Sequence, residues 1–74
     1  MPIQIVMDRS GDTRHQFELT DPIALNDAKD RFDDLMRQGY RAVALNRDGG
    51  SGRMLDGFDS TAERTLFIPH LKGG

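Results

Sequence analysis

The residues with the clearest chemical potential are two glycines, Gly73 and Gly74. We expect Gly74 to present a free carboxylate, which an ATP-dependent enzyme can convert to an acyl-adenylate for attack by a thiol, a sulfide or a lysine amine. Glycine suits this chemistry because a chain without side chains can thread a narrow active-site channel. The predicted activation tail comprises Leu71, Lys72, Gly73 and Gly74, of which the last three form a loose polar end. The alternative is that both glycines belong to a disordered end without function.

Other kinds of chemistry have little support in the sequence. The chain has no cysteine, which excludes disulfides, thiolate metal sites and a cysteine nucleophile. His15 and His70 are isolated from further metal ligands, and the glycine-rich stretch 49–52 lacks the lysine and the helix of a phosphate-binding loop. No nucleophile–base pair is visible. We therefore expect a carried protein rather than an enzyme, with no cofactor and no metal site.

Size and charge narrow the function classes further. The chain has 74 residues, enough for one domain, and a net charge of -2, which provides no basic field for nucleic acid. No stretch approaches the roughly 20 apolar residues that cross a bilayer, and the first residues lack the features of a signal peptide. Together with the lack of cysteine, these features predict a cytoplasmic protein. We expect it to be a monomer, although no feature of the sequence encodes the oligomeric state.

The first twenty residues predict a β-hairpin. Apolar and polar residues alternate over 3–7 and again over 14–20, where Phe17 and Leu19 are the apolar members. The residues between, 8–12, are typical of a turn in which glycine adopts a positive φ.

One helix follows the hairpin. Asp21 is the expected N-cap with Pro22 in the first turn, Asn26 is a later alternative cap, and Gly39 is the expected left-handed C-cap. The apolar stripe that should face a sheet comprises Leu25, Ala28, Phe32, Leu35 and Met36.

The second half of the sequence predicts three more strands. These lie within 40–45, 53–58 and 64–71, with a loop at 47–52 and a single helical turn at 59–63. Pairing of the last strand should fade at Pro69, which cannot donate a hydrogen bond. The element order predicts an α+β fold of the β-grasp type, in which one helix packs on one face of a mixed sheet. The domain is expected to span 1–71, with 72–74 as its tail.

The stretch from Arg64 to Gly74 resembles the end of ubiquitin and its relatives, and of the bacterial sulfur carriers of the thiamine and molybdopterin pathways. Phe67-Ile68-Pro69 ahead of the glycines is similar to the molybdopterin-type carrier, whereas Lys72 is similar to the basic residue of ubiquitin at that place. The resemblance implies adenylation of Gly74 by an activating enzyme. It further implies either conjugation to a target protein, with a conjugating enzyme or a protease as partners, or delivery of sulfur to an acceptor. We favour the modifier over the sulfur carrier.

A third hypothesis is a non-covalent adaptor that binds a partner through its sheet. Ala42, Ala44 and Ile68 are the candidate docking residues on the outer sheet face, and His70 is a candidate contact to an activating enzyme. The competing interpretation is that the helix covers some of them. Because residues 42–45 are all apolar, alternation does not determine which face of their strand is buried.

Overall fold

The computed structural model describes residues 1–45 and 52–69. Within these residues the chain forms one helix and five strands in the order predicted from the sequence. Their bounds are β1 Ile3–Asp8, β2 Gly11–Gln16, α1 Pro22–Arg37, β3 Arg41–Leu45, β4 Arg53–Leu55 and β5 Arg64–Ile68. The expected α+β class is confirmed. The loop predicted at 47–52 lies outside the described residues except for Gly52, as do His70 and the tail from Leu71 to Gly74.

The strands form one mixed sheet in the order β2-β1-β5-β3-β4. The middle strand, β5, runs parallel to its neighbour β1, and the other neighbouring pairs are antiparallel. The last strand of the sequence therefore lies in the centre of the sheet, with hydrogen-bonded neighbours on both sides. A central strand of this kind is held at both edges and is among the last parts of a sheet to fray.

The hairpin is tighter than the sequence pattern suggested. Asp8 pairs with Gly11 across a loop of two residues, and Gly11 adopts a φ of 124°, which glycine accommodates without strain. The Asp8 carboxylate accepts hydrogen bonds from the backbone N–H of Ser10 at 2.8 Å and from its hydroxyl at 2.6 Å. These bonds lower the pKa of Asp8, because they favour its charged form.

The predicted strand 14–20 is wrong in its bounds. Strand β2 begins at Gly11 and ends at Gln16, so the turn takes two residues instead of five. Phe17 follows the strand and is buried, but Leu19 is 46% exposed and does not continue an inward-facing alternation. Phe17 is a core residue and Leu19 belongs to the segment that connects β2 to the helix, so their alternation did not mark a strand.

The helix begins and ends where its capping residues predicted. One carboxylate oxygen of Asp21 accepts from the backbone N–H of Ile23 at 3.0 Å and of Ala24 at 3.3 Å. At the other end Gln38 is the C-cap residue and Gly39 follows it with a φ of 95°. The expected stripe faces the sheet: Ala28, Phe32 and Leu35 are buried, and Leu25 and Met36 are half-buried.

The cap makes a direct stability prediction. Replacing Asp21 by alanine should lower the free energy of unfolding by about 1 kcal/mol, because two N–H groups of the first turn lose their acceptor. Asn26→Ala is the matched control, since the Asn26 amide makes only an exposed 3.4 Å contact to Asp30. Urea unfolding followed by circular dichroism measures both. A larger loss of unfolding free energy in the Asn26 variant would mean that Asn26, and not Asp21, caps the helix.

Aromatic rings and small residues build the core between helix and sheet. Phe32 on the helix and Phe67 on β5 are fully buried, with ring centroids 5.6 Å apart at an angle of 69°. Phe58 packs edge-on against Phe32 at 6.0 Å. Ala42 and Ala44 on β3 are also buried in this cluster, where their small side chains leave room for the helix.

The segment before β5 is a capped turn in place of the predicted helical turn. The Asp59 carboxylate accepts hydrogen bonds from the backbone N–H of Thr61 at 2.9 Å and from its hydroxyl at 2.5 Å, and from Arg53 at 2.8 Å. The Thr61 hydroxyl and then Arg53 lower the pKa of Asp59 to about 2. Strand β5 ends at Ile68, so the predicted loss of pairing at Pro69 is confirmed.

Candidate functional site

The outer sheet face, defined as the side of the sheet away from the helix, is the candidate site within the described residues. Thr65 and Phe67 of β5 are buried under the helix, so Arg64, Leu66 and Ile68 point the other way. The same alternation places these further residues on the outer sheet face: Ile3, Ile5 and Met7 of β1, Asp12, Arg14 and Gln16 of β2, Arg41, Val43 and Leu45 of β3, and Met54 of β4.

The predicted docking patch is corrected by this alternation. Ala42 is 0% exposed and Ala44 is 8% exposed, and both belong to the core cluster beneath the helix. They cannot contact a partner while the helix covers them, because the outward positions of β3 belong to its other residues. Ile68 is 42% exposed and does lie on the outer sheet face. His70 and the activation tail Leu71, Lys72, Gly73 and Gly74 fall outside the described residues.

Strand register assembles an apolar row across the outer sheet face. Ile5 of β1 pairs with Leu66 of β5, Leu66 pairs with Val43 of β3, and Val43 pairs with Met54 of β4. The first three are half-buried by their neighbours, and Met54 is 59% exposed. We call Ile5, Leu66, Val43 and Met54 the apolar row.

Gly52, just before β4, packs closely against the side chains of β3. A Cβ at position 52 would lie 2.5 Å from Cγ1 of Val43 and 3.1 Å from Cδ2 of Leu45. Real Cβ atoms do not approach other atoms so closely, so a side chain here would displace Val43 from the apolar row. The glycine thus allows β4 to begin directly against β3.

Positive charge surrounds the apolar row. Arg14, Arg41 and Arg64 lie on the outer sheet face, whose acidic strand residue, Asp12, is bound by Arg14 Nε at 3.2 Å. Within the part of the chain that the structure describes, the guanidinium groups of Arg41 and Arg64 make no hydrogen bond or ion pair. The helix differs, because it carries four aspartates against three basic residues.

An open pocket of about 410 Å³ lies at the β2 side of the outer sheet face. Ile3 and Ile5 contribute its apolar lining, and Arg14 and Arg64 contribute its positive charge. Glu63 also lines the pocket. The pocket therefore continues the apolar row into a region with two guanidinium groups, which suits a ligand that combines apolar and acidic groups.

A polar cluster joins the helix to the other side of the sheet. Gln4 of β1 is 1% exposed; its Nε2 donates to the carbonyl oxygen of Ala28 at 2.9 Å, and its Oε1 accepts from Arg31 Nη1 at 2.9 Å. His15 pairs with Gln4 across the hairpin. Burial lowers the pKa of His15 below its usual range, and the positive charge of Arg31 lowers it further. A buried polar side chain such as Gln4 is often functional. Here, however, both its amide nitrogen and its amide oxygen form hydrogen bonds to the helix and hold it against the sheet.

A second, more apolar pocket of about 360 Å³ lies at the start of the helix. Pro22, Leu25 and Phe58 line it, and Lys29 stands at its side. Ile23, at 75% exposure, lies on the same first turn. This pocket has fewer polar groups than the one on the outer sheet face, and therefore fewer groups that could form hydrogen bonds or ion pairs with a specific ligand.

The described ranges contain neither a cluster of metal-ligating side chains nor a helix that could span a membrane. Over residues 1–45 and 52–69 no group of three histidine, aspartate or glutamate side chains is placed to hold a metal ion. The helix in these ranges is not long and apolar enough to cross a membrane.

The chain matches no protein-family model, no curated protein and no solved structure. Its function therefore has to be inferred from its own residues and their arrangement. Sequence reasoning identified Ile68 but missed Leu66, Val43 and the three arginines. The signal that could have found them is the alternation of Arg64, Leu66 and Ile68 with the buried Thr65 and Phe67.

Proposed function

We propose that this chain is a ubiquitin-like β-grasp protein whose Gly74 carboxyl group is activated by adenylation and joined to an amine of a target protein. The chain acts as the substrate of a dedicated activating enzyme and supplies no catalytic side chain. A conjugating enzyme or a protease would complete the system, and an ATP-dependent activation places it in the cytoplasm.

The strand arrangement supports the β-grasp part of the proposal. An antiparallel hairpin, a helix that crosses the sheet, and the order β2-β1-β5-β3-β4 with β1 and β5 parallel are compatible with that fold. The helix covers one side of the sheet and leaves the other exposed. A protein that must be held by several enzymes in turn needs such an uncovered surface.

The position of β5 is the observation that carries the functional part. This strand pairs with β1 on one side and β3 on the other, and it ends at Ile68 beside the exposed outer sheet face. Gly74 follows six residues later in the sequence, after Pro69 and Lys72. For an enzyme that binds the sheet, the segment that leads to Gly73 and Gly74 would therefore begin at a defined position, the end of β5.

The proposed reaction needs only the carboxyl group of Gly74. Its carboxylate oxygen attacks the α-phosphorus of ATP, and pyrophosphate leaves, which gives an acyl-adenylate. In the direct route a lysine amine of the target attacks the carbonyl carbon, AMP leaves, and the amine loses a proton. In the route through a thioester, a thiol of a partner enzyme attacks first and AMP leaves at that step; the lysine amine then attacks the thioester carbonyl carbon and the thiolate leaves. Both routes join Gly74 to the target by an isopeptide bond.

Sulfur transfer is the second candidate, and Phe67-Ile68-Pro69 ahead of the glycines favours it. It uses the same acyl-adenylate. A sulfide donor attacks the carbonyl carbon and AMP leaves, so that the carboxylate becomes a thiocarboxylate. The two candidates differ in the nucleophile and therefore in the mass of the product.

Mass spectrometry of protein isolated from the native host tests the proposal. Trypsin cleaves after Lys72, so a conjugate should leave Gly73-Gly74 attached to a lysine of the target. A thiocarboxylate would instead add the mass of one sulfur-for-oxygen exchange to the intact chain. Native protein that continues past Gly74 without being processed would contradict both.

Deletion of Gly73 and Gly74 should abolish the conjugates. Gly57→Ala is the matched control, because a Cβ at Gly57 would meet no atom within 4 Å. That variant should form conjugates at the level of the unmodified chain. Conjugates that persist after the deletion would exclude Gly74 as the point of attachment.

A further inference from the structure

Within the part of the chain that the structure describes, the sheet has two edge strands, and they differ. β4 is an edge of three residues, whereas β2 is an edge of six residues, Gly11–Gln16. We propose that β2 pairs antiparallel with the β2 of a second copy of this chain, so that two copies form a symmetric dimer with one continuous sheet. This departs from the expected monomer. It does not involve Gly73 and Gly74, so it goes beyond the proposed conjugation.

The outward side of β2 presents backbone groups that can pair with another strand. Phe17, which follows the strand, donates its backbone N–H to the carbonyl oxygen of Pro2 at 3.1 Å. Hydrogen-bonded pairs occur at every second residue of an antiparallel ladder, so the odd-numbered residues of β2 direct their N–H and C=O groups at β1. The even-numbered residues direct theirs away from the sheet: Asp12, Arg14 and Gln16.

β2 lacks three features by which proteins commonly protect an open edge, namely a proline, a lysine and a β-bulge. The strand contains neither proline nor lysine, and its register with β1 is continuous from the Ile3–Gln16 pair to the Asp8–Gly11 pair, which leaves no room for a bulge. β4 is protected by its shortness instead. The long edge of the sheet is thus the one that remains open to pairing.

Charge selects the register of the pairing. With a two-fold axis at Thr13, Asp12 of each copy faces Arg14 of the other, and all four side chains lie on the outer sheet face. Moving the axis to Asp12 would place two aspartates opposite each other, and moving it to Arg14 would do the same with two arginines. Opposite charges across a strand pair stabilise it and like charges destabilise it, so the register centred on Thr13 is favoured.

The same register suits the backbone. Asp12 and Arg14 face each other once on each side of the axis, and each facing pair exchanges two backbone hydrogen bonds, which gives about four in total. The two Thr13 residues form the closer, non-hydrogen-bonded pair on the helix side of the sheet, where threonine side chains interact favourably. Because both copies use the same edge, the pairing occupies it completely and stops at two chains.

The net charge of -2 does not prevent this pairing, because the edge itself is neutral. Residues 8–16 contain two aspartates and two arginines. Physiological salt screens exposed charges that lie more than about 8 Å apart, so charges elsewhere on the chain contribute less than those at the edge. A single strand pair is a small interface, and we expect a transient dimer with a dissociation constant of about 0.1–1 mM.

Analytical ultracentrifugation of the full chain tests the proposal. Between about 0.01 mM and about 2 mM chain, the average mass should rise from 8.3 kDa toward twice that value. Nuclear magnetic resonance of the ¹⁵N-labelled chain over the same range should show shifts at Asp12, Thr13 and Arg14. The backbone N–H groups of Asp12 and Arg14 should exchange with solvent more slowly as the dimer forms, and the amides of β4 should stay unchanged.

Charge reversal and charge exchange are the decisive variants. Arg14→Asp and Asp12→Arg should each weaken dimerisation at least about tenfold, because like charges then face each other. The double variant, Asp12→Arg with Arg14→Asp, exchanges the two charges and should dimerise as the unmodified chain does. Arg37→Asp on the helix is the matched control: it changes the net charge as Arg14→Asp does and should leave dimerisation unchanged. Equal urea midpoints would show that every variant is folded.

Several outcomes would overturn the proposal. A mass of one chain up to about 2 mM would exclude the dimer. Equal weakening by Arg37→Asp would attribute the effect to net charge, and failure of the double variant to dimerise would exclude the register centred on Thr13. Concentration-dependent shifts confined to β4 or the helix would assign the contact to another surface. The chain lacking Gly73 and Gly74 should dimerise unchanged, whereas a loss there would place the tail in the interface.

Discussion

Replacing Phe67 by alanine is expected to lower the free energy of unfolding by about 3–5 kcal/mol. The ring is 0% exposed on the central strand and packs edge-on against Phe32 at 5.6 Å, so its removal leaves a cavity that the paired strands cannot close. A domain of 74 residues has a total stability of about 4–11 kcal/mol, so the variant should be close to unfolding at room temperature. Urea unfolding followed by circular dichroism measures the loss.

Leu66→Ala is the matched control for this prediction. Leu66 precedes Phe67 on the same strand but lies half-buried on the outer sheet face, so its truncation creates no enclosed cavity. We expect a loss of about 1 kcal/mol there, which is typical of a partly exposed position. If Leu66→Ala cost as much as Phe67→Ala, the assignment of the two faces of β5 would be wrong.

The helix could be predicted well from the sequence because its signals are local. Asp21, Pro22 and Gly39 act within one turn of their own positions, and the stripe through Phe32 follows from the periodicity of the helix alone. The order of the strands along the chain could also be predicted, since turns and alternation separate the strands. These features depend on residues that are close in sequence.

The buried side of β3 could not be predicted, because that depends on a partner far away in the sequence. Residues 42–45 are all apolar, and only pairing of Ala42 with Phe67 and of Ala44 with Thr65 places the alanines beneath the helix. The end of β2 was missed for a related reason, since Phe17 is buried although it follows the strand. Local alternation cannot distinguish a strand from a segment that buries one side chain.

The apolar row is likewise a product of register. Ile5, Val43, Met54 and Leu66 come from four separate strands, and nothing in their sequence spacing places them side by side. Once β5 is fixed between β1 and β3, they align, and Arg41 and Arg64 come to flank them. The arrangement of the outer sheet face is thus fixed by the same strand that leads toward Gly74.

A buried glutamine makes the second large prediction. Gln4→Ala is expected to lower the free energy of unfolding by about 2–4 kcal/mol, since it removes two hydrogen bonds, one of them to a charged group, and leaves a cavity. Gln4→Met keeps the volume of the side chain and should cost less, because the Arg31 guanidinium loses its acceptor but no cavity forms. Thermal and urea unfolding measure both variants.

Gln16→Ala is the matched control for Gln4, because Gln16 is an exposed glutamine on the neighbouring strand. It should change the free energy of unfolding by less than about 0.5 kcal/mol. Arg31→Ala, alone and with Gln4→Ala, completes a double-mutant cycle in which the two losses should not add, since the residues share one hydrogen bond. Additive losses would mean that Gln4 stabilises the fold through Ala28 and packing alone, and that Arg31 acts independently of it.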